Sequence, residues 1–416
     1  MNRMELHSHT HYSNIRLLDS INKPKDLINR ALEIGLTGIC ITDHECLSSS
    51  IEVNIYAQEL LKDNHNFKIG LGNEIYLIDD RENCDEFYHF ILIAKDKEGH
   101  RQLRELSSLA WMNSYFFKGM ERVPTLKQDL ENIVSKNPGH LIATTACLGG
   151  ELSSNTLKME NARKIGDNRT AEECKQNIID FVLWCKKLFA DDMYMEVAPA
   201  ANRDQIIVNK KIAELSKVFD VKMVIGCDAH YLTKEDRYVH KSYLNSKGGE
   251  REVDAFYEYS YLQTEAEIIE NLTPSIVDLY EEMCENSMEI WNKIENYSLL
   301  HSQQIPKVDV KDYPKDNSHL GHPILEQMLR SDNKVERYWV NECLSKLKEL
   351  DKFNDEYLDR LEYEADIKYT IGKALDTNMF AYPVTLQHYV DLFWECGSMV
   401  GAGRGSSCSG LNHYLL

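Results

Sequence analysis

The residues in this sequence that could hold a metal ion are not scattered; they gather at the ends of short β-rich runs that alternate with amphipathic helices. The runs cover residues 3–6, 38–42, 69–77, 89–94, 141–145, 193–197 and 223–227. Between them lie stretches such as KPKDLINRALEIG, GHRQLRELSSLAW and TAEECKQNIIDFVLWCKKLF, with apolar residues at i, i+3 and i+4. Strands alternating with helices imply parallel pairing through right-handed crossovers. Seven such units predict an α/β protein built on a distorted (β/α)7 barrel, whose chemistry belongs at the C-terminal ends of the strands.

Six of the seven runs meet a ligand-type residue where that barrel would need one. The first run enters His7-Ser8-His9, the second Asp43-His44, the third contains Glu74 and the fourth begins at His89. The fifth reaches Cys147 and the seventh Asp228-Ala229-His230; only the sixth places no His, Asp, Glu or Cys at the end where the site would need it. Residues i and i+2 of a strand point the same way, which makes His7/His9 and Asp228/His230 natural chelating pairs. Singly, each has an ordinary reading: a solvated histidine, a helix cap, a buried thiol. The joint pattern predicts a polynuclear metal site.

After Leu232 the alternation stops. Residues 263–300 and 323–375 read as long acidic amphipathic helices, with 305–323 as an extended connector. The expected division is therefore 1–265 for the barrel and 266–416 for a helical region ending in the glycine-rich run GAGRGSSCSG. The eleven cysteines form no CxxC pair, which favours reduced thiols and a cytoplasmic setting over a disulfide framework. No apolar run approaches the ~20 residues of a membrane span. A net charge of −20 argues against non-specific nucleic-acid binding by the chain as a whole. It leaves room for a local groove, or for metal ions that bring their own positive charge to a phosphate.

The segments LHSHTHYS, ITDHE, GNEIYL, YHFILIAK, ATTACLGGEL and CDAHYL, in that order, resemble the PHP domain of bacterial replicative DNA polymerases of the C family. The likeness to the DNA polymerase III α subunit, in a form similar to phage-encoded relatives, runs the length of the chain. It implies nine ligands around three divalent metals. His7, His9, Glu74 and Asp228 would hold the first; Glu74, His89 and Cys147 the second; His44, His230 and Asp19 the third. Mixed imidazole, carboxylate and thiolate donors suit zinc, with manganese or iron as substitutes. In YSNIRLLD the aspartate lies three residues later than the family pattern, so Asp19 or His11 completes the third set. The resemblance implies phosphoester hydrolysis, as 3′→5′ exonucleolytic proofreading on a DNA 3′ end, with His9, Glu74 and Asp228 at its centre.

Residues 382–416 resemble the start of the family's polymerase palm. There Arg404, Gly405 and Ser406 would meet an incoming nucleotide's triphosphate. The palm aspartates that bind magnesium lie further on in the family, so this chain alone is expected not to polymerise DNA. It would be a truncated piece, or half of a split polymerase whose second chain supplies the remainder. Two other readings stay open: a phosphatase acting on a small phosphomonoester, and a structural metal platform for polymerase assembly.

Overall fold

A computed structural model describes residues 2–15, 18–63, 66–82, 84–247, 257–302, 304–401 and 403–416. The chain forms two compact units, residues 1–300 and 301–416.

In the first unit seven strands follow one another around a curved sheet. They are β1 (Met4–Glu5), β2 (Gly38–Ile41), β3 (Lys68–Ile78), β4 (Tyr88–Ala94), β5 (Leu141–Thr144), β6 (Met193–Val197) and β7 (Met223–Ile225). A short strand, Thr125–Leu126, pairs with the end of β3. The sheet closes where Ser8 and Ala229 form a parallel bridge, with His9 N–H donating to Ala229 O (3.0 Å) and Ala229 N–H to His7 O (3.2 Å). Closure thus joins the two chelating pairs read from the sequence.

One expectation is corrected. β4 runs antiparallel to both neighbours, β3 and β5, so the barrel is not wholly parallel. Among the described residues no helix separates β3 from β4, and a strand that returns directly must reverse direction. The reversal is what makes the site workable. His89 lies near the start of its strand, and in an all-parallel barrel it would sit at the wrong mouth.

Alternate residues of the strands fill the interior: Met4, Leu6, Cys40, Ile91, Ile93, Ile142, Tyr194 and Val224 form one buried cluster. Ile290 and Ile294, from the helix Tyr280–Lys293 and its C-cap, complete it with Trp291. This helix seals the end of the barrel where the parallel strands begin. Met4 N–H donates to Ser287 Oγ (3.1 Å), Asn286 Nδ2 to Met223 O (2.9 Å), and Trp291 Nε1 to Thr37 O (3.0 Å). That is why the first unit extends to residue 300 rather than the expected 265. The outer helices cover the other face of the sheet with Leu27, Val53, Leu103, Ile178, Phe181 and Ile212 among the larger core.

The second unit is helical: Pro323–Arg330, Lys334–Glu349, Asp355–Leu375, Ala381–Glu395 and Leu411–Leu415. The long helix expected over 323–375 is broken at Ser331 and Leu350. Trp339, Phe380 and Tyr369 form its aromatic core, with ring centroids 5.1 and 4.9 Å apart. Arg404, Gly405 and Ser406 are exposed, Gly405 in the left-handed region at φ +89; Ala402 lies outside the described residues. The Glu364 carboxylate fastens the segment that follows, accepting from Leu411 N–H (2.8 Å) and Asn412 N–H (2.9 Å). Among the described residues no helix is long and apolar enough to cross a membrane.

Candidate metal centre

At the mouth opposite the sealing helix, the strand ends bring imidazoles and carboxylates within a few ångströms of one another. His7 Nε2 and His9 Nε2 lie 3.1 Å apart. Each approaches Glu74 Oε2 (3.3 and 3.0 Å) and Asp228 Oδ1 (3.1 and 3.2 Å). A tetrahedral ion ~2.0–2.1 Å from each donor would set its ligand atoms about 3.3 Å apart, so these spacings fit one cation. Asp228 Oδ1 supports this. It is buried and faces ring nitrogens: His7 Nε2, His9 Nε2 and His230 Nδ1 lie 3.1, 3.2 and 3.5 Å away.

Glu74 turns its other oxygen to a second group, with Oε1 2.6 Å from His89 Nδ1 and 4.0 Å from Cys147 Sγ. Cys147 Sγ stands 3.5 Å from the same His89 nitrogen. The third group centres on Asp19, whose Oδ2 is 2.8 Å from His44 Nε2 and 2.9 Å from His230 Nε2. His9 joins this group as well, stacked on His44 and His230 at 4.2 and 4.5 Å. His44 also reaches back, its Nδ1 3.1 Å from Glu74 Oε2. The nine residues nominated from sequence are thus brought to one place. His11 is not; it is exposed, stacked on Tyr12, with its Nδ1 3.3 Å from Asn22 O.

The loop that carries Asp19 explains how the later aspartate reaches the cluster. Asn14 Oδ1 accepts from Asp19 N–H (2.7 Å) and Ser20 N–H (2.9 Å), and its amide donates to Ser20 O (2.7 Å). Tyr257 Oη then donates to Asp19 Oδ1 at 2.6 Å, leaving Oδ2 for the imidazoles. Three of the eight described non-glycine residues with positive φ also lie here. Glu45, Ala146 and Asp228, each at or next to a ligand, have φ of +54, +56 and +49. Each costs roughly 1 kcal/mol for a residue with a side chain, and such strain gathers at functional sites.

Three imidazoles have their outward nitrogens occupied. His7 Nδ1 meets Glu196 Oε1 at 2.6 Å, His9 Nδ1 meets Ser13 Oγ at 3.2 Å, and His230 Nδ1 meets Asp228 O at 2.8 Å. The carboxylate and the carbonyl can only accept. Ser13 Oγ already donates to Asp43 (2.9 Å) and so accepts from His9. All three rings therefore carry the Nδ1 proton and turn the Nε2 lone pair inward, the arrangement a metal-binding histidine requires. Sequence reasoning missed this outer layer. Asp43 was read as a ligand-type residue beside His44, not as a support for it, and Glu196 lay in the one run that placed no ligand at the site.

Burial, the largest single influence, disfavours charge on Glu74, yet His89, His44 and His7 together hold its carboxyl well below the usual range. His230 and His44 do the same for Asp19 against the same penalty. Burial, reinforced by Asp228 and Glu74, pushes the Cys147 thiol well above its ordinary value. A thiol so placed gives up its proton only to a strong competitor such as a metal ion. The exposed side of the cluster is at His89 (side chain 21% exposed) and His44 (11%), against 0% for Glu74. There is little slack beside His89: a Cβ on Gly149 would lie 2.8 Å from its ring.

Residues 5–200 match the family described as "PHP domain". The chain is 37% identical over 99% of its length to "Probable DNA polymerase YorL" of Bacillus subtilis, covering 34% of that protein. The same figures hold for "DNA-directed DNA polymerase" of Bacillus phage SPbeta. It is 29% identical, again over 99% of its length, to "DNA polymerase III subunit alpha" of Campylobacter jejuni, of which it covers 33%. The chain thus spans about a third of the length of these relatives.

Proposed function

Starting from a chain that belongs to the PHP-bearing region of C-family DNA polymerases, we propose that its metal centre hydrolyses phosphoesters, trimming nucleotides from a DNA 3′ end. The observation that carries the proposal is the convergence of three donor groups that share Glu74 and His9. His7, His9, Glu74 and Asp228 would hold one divalent ion, Glu74, His89 and Cys147 a second, and His44, His230 and Asp19 a third. The single thiolate favours zinc; the carboxylates leave manganese and iron as substitutes. Such ions, when bound, acidify water towards neutrality and offset the charge that builds up on phosphate oxygens.

The protein's own residues do the rest. Asp228 and Glu74, fully or nearly buried, present fixed negative charge without a water shell to reorganise. Ser13 and the Asp228 carbonyl keep protons on the outer nitrogens of His9 and His230. Tyr257 fixes the Asp19 carboxylate. Substrate would enter past His89 and His44, where the cluster meets solvent. In the second unit, the exposed Arg404, Gly405 and Ser406 would contact a nucleotide's phosphates, with magnesium as the cation of the polymerase reaction. The other proposed partners are the DNA 3′ end and the remaining parts of the polymerase.

The test uses the whole chain loaded with zinc or manganese and offered three substrates: 5′-labelled single-stranded DNA, a chromogenic phosphodiester and a phosphomonoester. Stepwise shortening of the DNA from its 3′ end is expected, abolished by EDTA and by His9→Ala/Asp228→Ala. Preference for the phosphomonoester would overturn the reading in favour of a small-molecule phosphatase. Three bound ions with no hydrolysis of any substrate would overturn it in favour of a structural platform.

A further inference from the structure

β6 carries no ligand, yet its sequence, MYMEV, places a charged residue in a strand whose every position is buried. That residue, Glu196, is 2% exposed and lies inside the barrel beneath the metal cluster. Its Oε1 is 2.6 Å from His7 Nδ1, and its Oε2 accepts from Thr144 Oγ1, also at 2.6 Å. Its own backbone N–H is fixed by Thr145 Oγ1 at 3.0 Å. A carboxylate buried this deeply survives only where donors meet both oxygens, and here one of the two donors is a ring of the cluster.

The space for it is reserved by the neighbouring strand. A Cβ on Gly226, just past β7, would stand 2.4 Å from Glu196 Oε1 and 2.5 Å from its carboxyl carbon. Only glycine lets the carboxylate lie against this backbone. Among the three imidazoles whose Nδ1 points away from the cluster, His7 alone meets a carboxylate; His9 and His230 meet a hydroxyl and a backbone carbonyl. A carboxylate partner does more than fix the tautomer: it draws on the Nδ1 proton and makes Nε2 a stronger donor.

We propose that Glu196 is a positioning residue of the first metal group, acting through His7 in a Thr144–Glu196–His7 chain for which Gly226 makes room. This rests on the metal-centre reading above. Glu196 touches neither ion nor substrate; it sets which nitrogen of His7 faces the ion and how strongly that nitrogen binds.

The experiment compares the whole chain with its Glu196→Ala, Glu196→Gln and Thr144→Val variants, each stripped and reloaded with zinc. Competition against a graded series of chelators should show the tightness of the first ion falling about 10- to 100-fold in Glu196→Ala. Glu196→Gln, which keeps an acceptor without its charge, should fall between, and Thr144→Val should lose less than Glu196→Ala. In side-chain 15N–1H spectra of the zinc-loaded protein, the exchange-protected His7 Nδ1 proton should be present in the parent and lost in Glu196→Ala. Circular dichroism of the metal-free forms identifies any variant that fails to fold; Thr144→Val, which leaves the charge in place, then decides. Unchanged zinc tightness and an unchanged His7 signal in folded variants would overturn the assignment of Glu196. A parent chain that binds no zinc would instead overturn the metal-centre reading itself.

Discussion

Glu74→Gln is expected to leave the protein with no more than one tightly bound ion and to lower hydrolysis by about a thousandfold or more. The size of the effect follows from how much converges on one carboxylate. Oε2 lies 3.0 to 3.3 Å from nitrogens of His9, His44 and His7, while Oε1 faces His89 at 2.6 Å and Cys147 at 4.0 Å. Glutamine has the same shape, but half of its head becomes an NH2 group that donates towards one cation position, and the oxygen left for the other carries no charge. The first and second groups then each lose a charged ligand, whereas the third, built on Asp19, keeps all of its own. Removing one fixed charge from a dry catalytic site typically costs about 10²–10³ in turnover, and here two ions depend on it. Elemental analysis and single-stranded DNA turnover, measured on one preparation, check both halves. Three ions still bound in Glu74→Gln would contradict the shared-ligand arrangement.

Asp43→Ala is expected to destabilise the barrel by roughly 3–5 kcal/mol, although Asp43 is outside the nine proposed ligands. Its carboxylate, 1% exposed, accepts from Thr10 N–H (2.6 Å), Thr10 Oγ1 (2.9 Å), Ser13 Oγ (2.9 Å) and Ser49 Oγ (2.5 Å). Alanine would leave these donors buried without an acceptor, and each such group costs about 1–3 kcal/mol unless it finds another partner. The damage would spread to the metal centre, because Ser13 is the acceptor for His9 Nδ1 and also receives the His44 N–H at 3.2 Å. Urea denaturation of the metal-free chain, followed through the unfolding of its first unit, should show the loss. Metal content should fall as well. A change below about 1 kcal/mol would mean that Asp43 does not organise the loops around His9 and His44.

The barrel was legible because its strands pair alternating buried side chains with ligands at their ends, a pattern that local sequence displays. The direction of β4 was not, since YHFILIA reads the same way up or down. The clue was the stretch 79–87, which has no helical period and therefore no crossover to carry. The boundary near residue 300 was hidden for another reason. The helix Tyr280–Lys293 advertises an apolar stripe but not that Ile290 and Ile294 plug a barrel built from residues far earlier in the chain. At the metal centre the ligands were readable and their supports were not. Asp43, Ser13, Thr144 and Glu196 are ordinary residues in ordinary strands and turns; only the fold brings Ser13 and Glu196 to the back of a histidine, with Asp43 and Thr144 behind them. Glu196 left the strongest trace, a lone charge in a wholly apolar strand. Asp19 needed the loop itself, because the clasp formed by Asn14 is what carries the later aspartate into reach.

The central claim is that nine residues hold three ions, and the count of ions is its most direct measurement. The whole chain, stripped with a chelator, reloaded with zinc or manganese and freed of excess, is analysed for metal per polypeptide. The account predicts three ions, reduced in His9→Ala/Asp228→Ala. Fewer than one ion per chain after saturation, or an undiminished count in that double variant, would contradict it.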